Sequence, residues 1–143
     1  MAANITKGPR IVLVEDDPGM KQSMGRLLNA AGFDATGFAT GEEMLQSDAF
    51  RSADCFILDI HLPRLSGFDI ARRLNQFGVK APVIFITAFD EADVQVKAGA
   101  IKNGVYFTKP FSGRQLIAAI NDAMHTNVSP DIFNRSHSPK SDS

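Results

Sequence analysis

The chain has 143 residues, 44% of them hydrophobic, which suits one domain with a buried core and excludes wholesale disorder. Lys and Arg number 15 against 16 Asp and Glu, and the resulting net charge of −1 disfavours charge-driven binding to nucleic acid. The single cysteine, Cys55, excludes an intramolecular disulfide. We expect a cytoplasmic protein without a membrane span, because no signal peptide is evident and no run approaches ~18 apolar residues.

Short apolar runs, rich in β-branched residues, predict parallel strands that are covered on both faces. The three strongest runs are Ile11–Val14, Cys55–Leu58 and Val83–Ile86. Two weaker candidates are Asp34–Phe38, which has the pattern of an edge strand, and Val105–Thr108.

Helix signals lie between these runs. Three helix starts carry a capping pattern: Asp17 before Pro18, Thr40 with Glu43, and Ser112 with Gln115. Two apolar stripes at helical spacing end at a glycine: Met20, Met24, Leu27, Leu28 and Ala31 before Gly32, and Phe68, Ala71, Leu74 and Phe77 before Gly78. A further helix, poor in large apolar residues, is predicted from about Asp90 to Ala98.

Strands and helices alternate five times along the chain. This order predicts a doubly wound, five-stranded parallel sheet with five helices on its two faces. We place the domain at residues 9–125. Residues 126–143 are rich in Ser and poor in large apolar residues, which predicts a disordered tail.

Polar side chains follow the predicted strands at the edge where ligands bind in sheets of this kind. They are Glu15 and Asp16 after the first strand, Asp59 and His61 after the third, Thr87 after the fourth and Lys109 after the fifth. Each alone has an ordinary explanation as a helix cap, a turn residue or a solvated charge. Complementary groups at four strand ends are not explained in that way.

The chemistry that this group suits is phosphoryl transfer to a carboxylate. Clustered carboxylates repel one another unless a cation joins them, and Mg²⁺ prefers carboxylate, water and phosphate oxygens. Asp59 would act as the nucleophile that forms an acyl phosphate. The three phosphoryl oxygens could then meet Mg²⁺, the Lys109 ammonium and the Thr87 hydroxyl.

With these residues the chain resembles the receiver domain of two-component response regulators. The matching motifs are Ile11–Asp16, Leu58–Pro63, Ser66–Gly67, Phe85–Ala88 and Tyr106–Phe111. The resemblance extends over residues 9–125 and implies a flavodoxin-like fold. It is nearest to receivers that precede helix-turn-helix outputs, and without such an output the expected form is a stand-alone receiver.

The resemblance implies a role for each residue of the group. Asp59 would be the phosphoacceptor, with Mg²⁺ held by Asp16, Asp59 and the backbone carbonyl of His61, and by Glu15 from the outer shell. Thr87 and Lys109 would sense the phosphate, and the Tyr106 ring would change orientation with Thr87. The implied partners are a histidine kinase or a phosphotransfer protein, and a protein target that the sequence does not identify.

Two alternatives remain open at this point. The first is a phosphatase of haloacid-dehalogenase type, although that class has Asp-x-Asp after its first strand and here the position two beyond Asp59 is His61. The second is a truncated receiver of a DNA-binding regulator, whose output would need about 50 or more further residues. We expect a phosphoacceptor rather than an enzyme, with at most intrinsic self-phosphorylation and self-dephosphorylation.

Overall fold

The computed structural model describes residues 8–87, 104–108 and 112–128, with the backbone alone for 104–108 and 126–128. Its helices and strands, in chain order, are β1 (Arg10–Val14), α1 (Pro18–Ala30), β2 (Asp34–Phe38), α2 (Gly41–Gln46), β3 (Cys55–Asp59), α3 (Gly67–Gln76), β4 (Val83–Thr87), β5 (Gly104–Thr108) and α4 (Gly113–Val128). The helix predicted near residues 90–98 lies outside the described residues, as do Lys109 and residues 129–143.

The described strands form one parallel sheet in the order β2-β1-β3-β4-β5. The chain moves outward from β1 to β2, crosses back to β3 and continues to the other edge. This confirms the doubly wound α/β architecture that the sequence predicts. It also brings β1 and β3 side by side at the centre, so residues that end these two strands become neighbours.

Each face of the sheet carries its own apolar cluster, because successive strand residues point to opposite faces. One cluster joins Val12, Val14, Phe56, Leu58 and Phe85 to Met44 of α2 and to Ile70 and Leu74 of α3. The other joins Ile11, Leu13, Ile57, Ile84 and Ile86 to Met24 and Leu28 of α1 and to Leu116 and Ile120 of α4. Full burial of such a side chain stabilises the fold by roughly 1.5–3 kcal/mol, so the two clusters hold the strand ends in place.

The predicted helix starts are confirmed at all three capping patterns. Asp17 Oδ1 accepts a hydrogen bond from the N–H of Gly19 at 3.1 Å. Ser112 and Gln115 form both bonds of a capping box, at 3.0 and 3.3 Å. Thr40 Oγ1 accepts from Glu43 N at 3.1 Å, but the Glu43 carboxylate accepts from Ala39 N rather than from its own cap residue.

The prediction that Phe77 completes the apolar stripe of α3 is wrong. The helix ends at Gln76, and Phe77 is 51% exposed. Gly78 has φ +81°, a conformation that turns the chain away from the helix axis. The Arg51 guanidinium lies 5.7 Å from the centre of the Phe77 ring and covers part of it.

A 3-10 turn at Ala49–Ser52, which the sequence pattern does not predict, leads into β3. The backbone of α4 continues beyond residue 125 to Val128. The domain bounds of 9–125 stay a prediction. No helix in the described ranges has both the length and the apolar character needed to cross a bilayer.

Candidate functional site

The candidate site lies where β1 and β3 end at the centre of the sheet. Asp59 is the last residue of β3, and Glu15 follows β1 directly. Val14 pairs with Leu58, so Glu15 and Asp59 come next on the two neighbouring strands. The N–H of Glu15 donates to the carbonyl of Phe38 at 3.0 Å, which keeps this residue tied to the strand on its other side.

Three carboxylates meet at this point. Glu15, Asp16 and Asp59 each offer an oxygen, and these oxygens lie within 4.8 Å of one another. Glu15 is 1% exposed and Asp59 is 5% exposed, whereas Asp16 faces solvent. Like charges this close repel one another, and a hard cation with oxygen ligands would relieve the repulsion. The donor set therefore fits Mg²⁺.

Backbone N–H groups orient the two buried carboxylates. Asp59 Oδ1 accepts a hydrogen bond from the N–H of His61 at 3.0 Å. Glu15 Oε2 accepts one from the N–H of Asp17 at 3.1 Å. These two hydrogen bonds limit the rotation of both carboxylates and hold them at the end of the sheet.

His61 is an exposed residue, and its backbone N–H is the donor to Asp59 Oδ1. The use of its backbone carbonyl as a metal ligand stays a prediction. Arg64, three residues on, has φ +67°, so the loop that carries His61 contains a non-glycine residue in the left-handed region.

A further capping box, formed by Ser66 and Asp69 and absent from the sequence predictions, ends this loop. Ser66 Oγ accepts from Asp69 N at 3.1 Å, and Asp69 Oδ2 accepts from Ser66 N at 3.0 Å. The bond from the Ser66 backbone N–H is the main reason that the pKa of Asp69 is lowered. The signal was present as Ser-x-x-Asp, but the usual pattern has Glu or Gln at the last position.

Thr87 is the last residue of β4 and is fully buried. Asp59 pairs with Ile86 across β3 and β4, and the N–H of Ile60 donates to the Ile86 carbonyl at 2.9 Å. Thr87 therefore lies one residue beyond the partner of Asp59 on the adjacent strand. The structure brings this hydroxyl-bearing residue to the same edge of the sheet as the acidic cluster.

The remaining predicted residues lie on or after β5. Tyr106 pairs with Phe85, and Thr108 pairs with Thr87, so Tyr106 is two residues before the partner of Thr87. Lys109 follows Thr108 in the sequence and lies outside the described residues. The sensing role of Lys109 and the switch role of Tyr106 stay predictions.

Cys55 takes no part in this chemistry. It lies at the start of β3, at the opposite end of the strand from Asp59, and is fully buried. Burial raises the pKa of its thiol from 9.0 to about 12, which keeps the sulfur protonated and unreactive.

Comparison with known proteins agrees with this arrangement. The family model described as the response regulator receiver domain matches residues 11–121. Nodulation protein W of Bradyrhizobium diazoefficiens is 34% identical over 112 residues, which are 77% of this chain and 48% of that protein. The response regulator protein TodT of Pseudomonas putida is 35% identical over 117 residues, with 80% of this chain and 50% of TodT covered. The chain thus spans about half the length of these curated relatives.

Solved structures with a similar fold include proteins of the same kind. A response regulator receiver protein from Burkholderia phymatum is 35% identical, with a TM-score of 0.72 over 82% of this chain and 95% of that one. The chemotaxis protein CheY4 of Vibrio cholerae has a TM-score of 0.75 over 81% of this chain and 98% of its own, and at 19% identity it shows the shared fold alone.

Proposed function

The chain belongs to the response regulator receiver family, and we propose that it accepts a phosphoryl group on Asp59. A receiver is a phosphorylation-controlled signalling module rather than a conventional enzyme. The donor that we propose is the phosphohistidine of a histidine kinase or of a phosphotransfer protein. The observation that carries the proposal is the buried Asp59 carboxylate, which lies within 4.8 Å of two other acids.

The transfer needs a nucleophile held in a fixed direction. An oxygen of the Asp59 carboxylate forms a bond to the donor's phosphorus, while the bond from phosphorus to the imidazole nitrogen of the donor breaks. The departing nitrogen keeps the electron pair of that bond, and the product on this chain is an acyl phosphate. The N–H of His61, 3.0 Å from Asp59 Oδ1, limits the rotation of the carboxylate before the attack.

The proposed cation is Mg²⁺. We propose that Asp16, Asp59 and the backbone carbonyl of His61 hold it directly and that Glu15 acts through water. When bound, Mg²⁺ supplies positive charge that offsets the charge of the carboxylates and of the incoming phosphoryl oxygens. Two observations support the outer-shell role of Glu15: the residue is buried, and its Oε2 accepts a hydrogen bond from Asp17 N.

The signal would leave the site through Thr87. After phosphorylation its hydroxyl would donate to a phosphoryl oxygen, the Lys109 ammonium would pair with another, and the Tyr106 ring would enter the space that Thr87 vacates. The strand pairing supports this route. Thr87 follows Ile86, which is the partner of Asp59 across β3 and β4. Thr87 itself pairs with Thr108 of β5. The proposed output is a changed surface that docks another protein.

A phosphatase of haloacid-dehalogenase type is not supported by the fold, because Asp59 ends β3 and not the first strand. One relative is CtrA of Caulobacter vibrioides, a cell cycle transcriptional regulator. The region that matches this chain covers 48% of CtrA, so CtrA is about twice as long as that region. Transcriptional regulation is a property of that whole protein, and the output proposed for this chain is protein docking.

The test is phosphoryl uptake measured by intact mass. Wild type incubated with acetyl phosphate and Mg²⁺ should gain one phosphoryl group, and EDTA should prevent the gain. Asp59→Asn keeps the shape of the side chain and removes the nucleophile, so it should gain none. Asp48→Asn is the matched control, because Asp48 is exposed and makes no capping bond. Equal uptake by Asp59→Asn would refute the assignment.

A further inference from the structure

Gly67 packs its backbone against the end of β3. It is the first residue of α3 and is buried. A Cβ at this position would lie 2.6 Å from the carbonyl oxygen of Asp59 and 3.1 Å from both its carbonyl carbon and the Cα of Ile60. These are backbone atoms, so no side-chain rotation would make room, and the strand end or the helix start would have to move.

The same contact fixes the segment that orients the Asp59 carboxylate. The N–H of Gly67 donates to the carbonyl of Ile60 at 3.1 Å. The next residue, His61, donates its own N–H to Asp59 Oδ1 at 3.0 Å. A displacement of Ile60 by the added Cβ would therefore move the donor that holds the carboxylate.

We propose that Gly67 is a positioning residue for phosphoryl transfer: the absence of a side chain at 67 sets where the Asp59 carboxylate lies. This inference rests on the proposed function, in which Asp59 accepts the phosphoryl group. Its role differs from that of the acids because Gly67 acts through the Asp59 backbone and the His61 amide.

Gly41 provides a matched control within the same chain. It is also a buried glycine at the first position of a helix, directly after the N-cap residue Thr40. A Cβ there would lie 2.6 Å from Cδ1 and 2.7 Å from Cγ1 of Ile70. The overlap is as close as at Gly67, but it falls on a core side chain and not on the backbone of the phosphoacceptor.

The experiment compares Gly67→Ala with Gly41→Ala, each made in wild type and in a Gly25→Ala background. Gly25 lies inside α1, and nothing lies within 4 Å of a Cβ built there, so alanine should stabilise the helix and favour folding of both variants. Folding is checked by far-UV circular dichroism. The initial rate of phosphoryl uptake from acetyl phosphate with Mg²⁺ is measured by intact mass.

In Gly67→Ala the uptake rate should fall by about tenfold or more, because a small misplacement of a reacting group is enough for such a loss. In Gly41→Ala the rate should stay within about twofold of its background. The ¹⁵N NMR resonance of the His61 amide should shift in Gly67→Ala alone, which loss of stability by itself would not produce.

A folded Gly67→Ala variant that takes up phosphate at the wild-type rate would overturn the proposal, as would an equal loss in Gly41→Ala. Failure of the proposed function would give a different result, because Asp59→Asn would then keep its phosphoryl uptake. The resonance of the His61 amide would still report whether Gly67 sets the geometry of the loop.

Discussion

The charge of Asp16 should destabilise the protein in the absence of Mg²⁺, and bound Mg²⁺ should offset most of that effect. Asp16 is exposed and its carboxylate oxygen lies within 4.8 Å of those of Glu15 and Asp59. Two unit charges at that separation in a water-like dielectric repel by about 0.9 kcal/mol. Asp16→Asn should therefore raise the free energy of unfolding by about 1–2 kcal/mol in EDTA.

Mg²⁺ should then reduce the stability difference between wild type and Asp16→Asn. A cation at ten times its dissociation constant stabilises the folded state by about 1.4 kcal/mol. Wild type should gain this amount, and Asp16→Asn should gain much less because it lacks one charged ligand. The stability difference between the two proteins should thus shrink by up to about 1.4 kcal/mol as Mg²⁺ is added.

The assay is urea unfolding followed by far-UV circular dichroism, in EDTA and at increasing Mg²⁺ with ionic strength held constant. The dependence of stability on urea should be unchanged, since the surface exposed on unfolding is the same. Asp48→Asn should gain from Mg²⁺ as wild type does. An equal gain for Asp16→Asn would refute the reasoning, and loss of the gain in Glu15→Gln alone would reverse the two assigned roles.

Three further predictions concern the switch, the buried thiol and the end of the chain. Thr87→Ala should still take up phosphate at Asp59 but lose most of the NMR shift change at Tyr106 on adding beryllofluoride; a full wild-type change would contradict the Thr87 relay. Because the pKa of Cys55 is raised from 9.0 to about 12 in the fold, the stability that its neutral thiol contributes is complete below pH 9 and is lost progressively as the pH rises from 9 to about 12. Unfolding free energies at pH 8 and 10 should therefore fall more in wild type than in Cys55→Ala, and equal falls would contradict the assignment. Deleting residues 129–143 should leave phosphoryl uptake unchanged, and a severalfold loss in the folded truncation would show that these residues act at the site.

The sheet and the acidic cluster could be predicted because their signals are local. An apolar run followed by an acid predicts both a strand and the carboxylate at its end. The alternation of strands with helices predicts that these carboxylates meet at the carboxyl edge of the sheet. The apolar pattern predicts strand ends at Leu58 and Ile86, one residue too early, because it stops at the first polar residue. The backbone ladder continues through Asp59 and Thr87, which are therefore parts of strands rather than loop residues.

The features that could not be predicted depend on contacts between distant segments. Phe77 has the spacing of the α3 stripe, but the helix ends before it and the ring lies beside Arg51. The need for glycine at 67 comes from the backbone of Asp59, eight positions earlier in the chain, and composition alone does not show such a contact. The left-handed Arg64 gives no sequence signal at all, because arginine is not a residue that favours this conformation.

The central pairing of β1 with β3 also bears on when the protein becomes competent to receive a signal. These strands are joined near their starts by the hydrogen bond from Arg10 N to Asp54 Oδ2, across 44 residues, so their pairing closes a long loop at an entropic cost. The pairing of β1 with β3 is what brings Glu15 and Asp16 beside Asp59. Phosphoryl uptake at Asp59 would therefore also report that these two strands have paired.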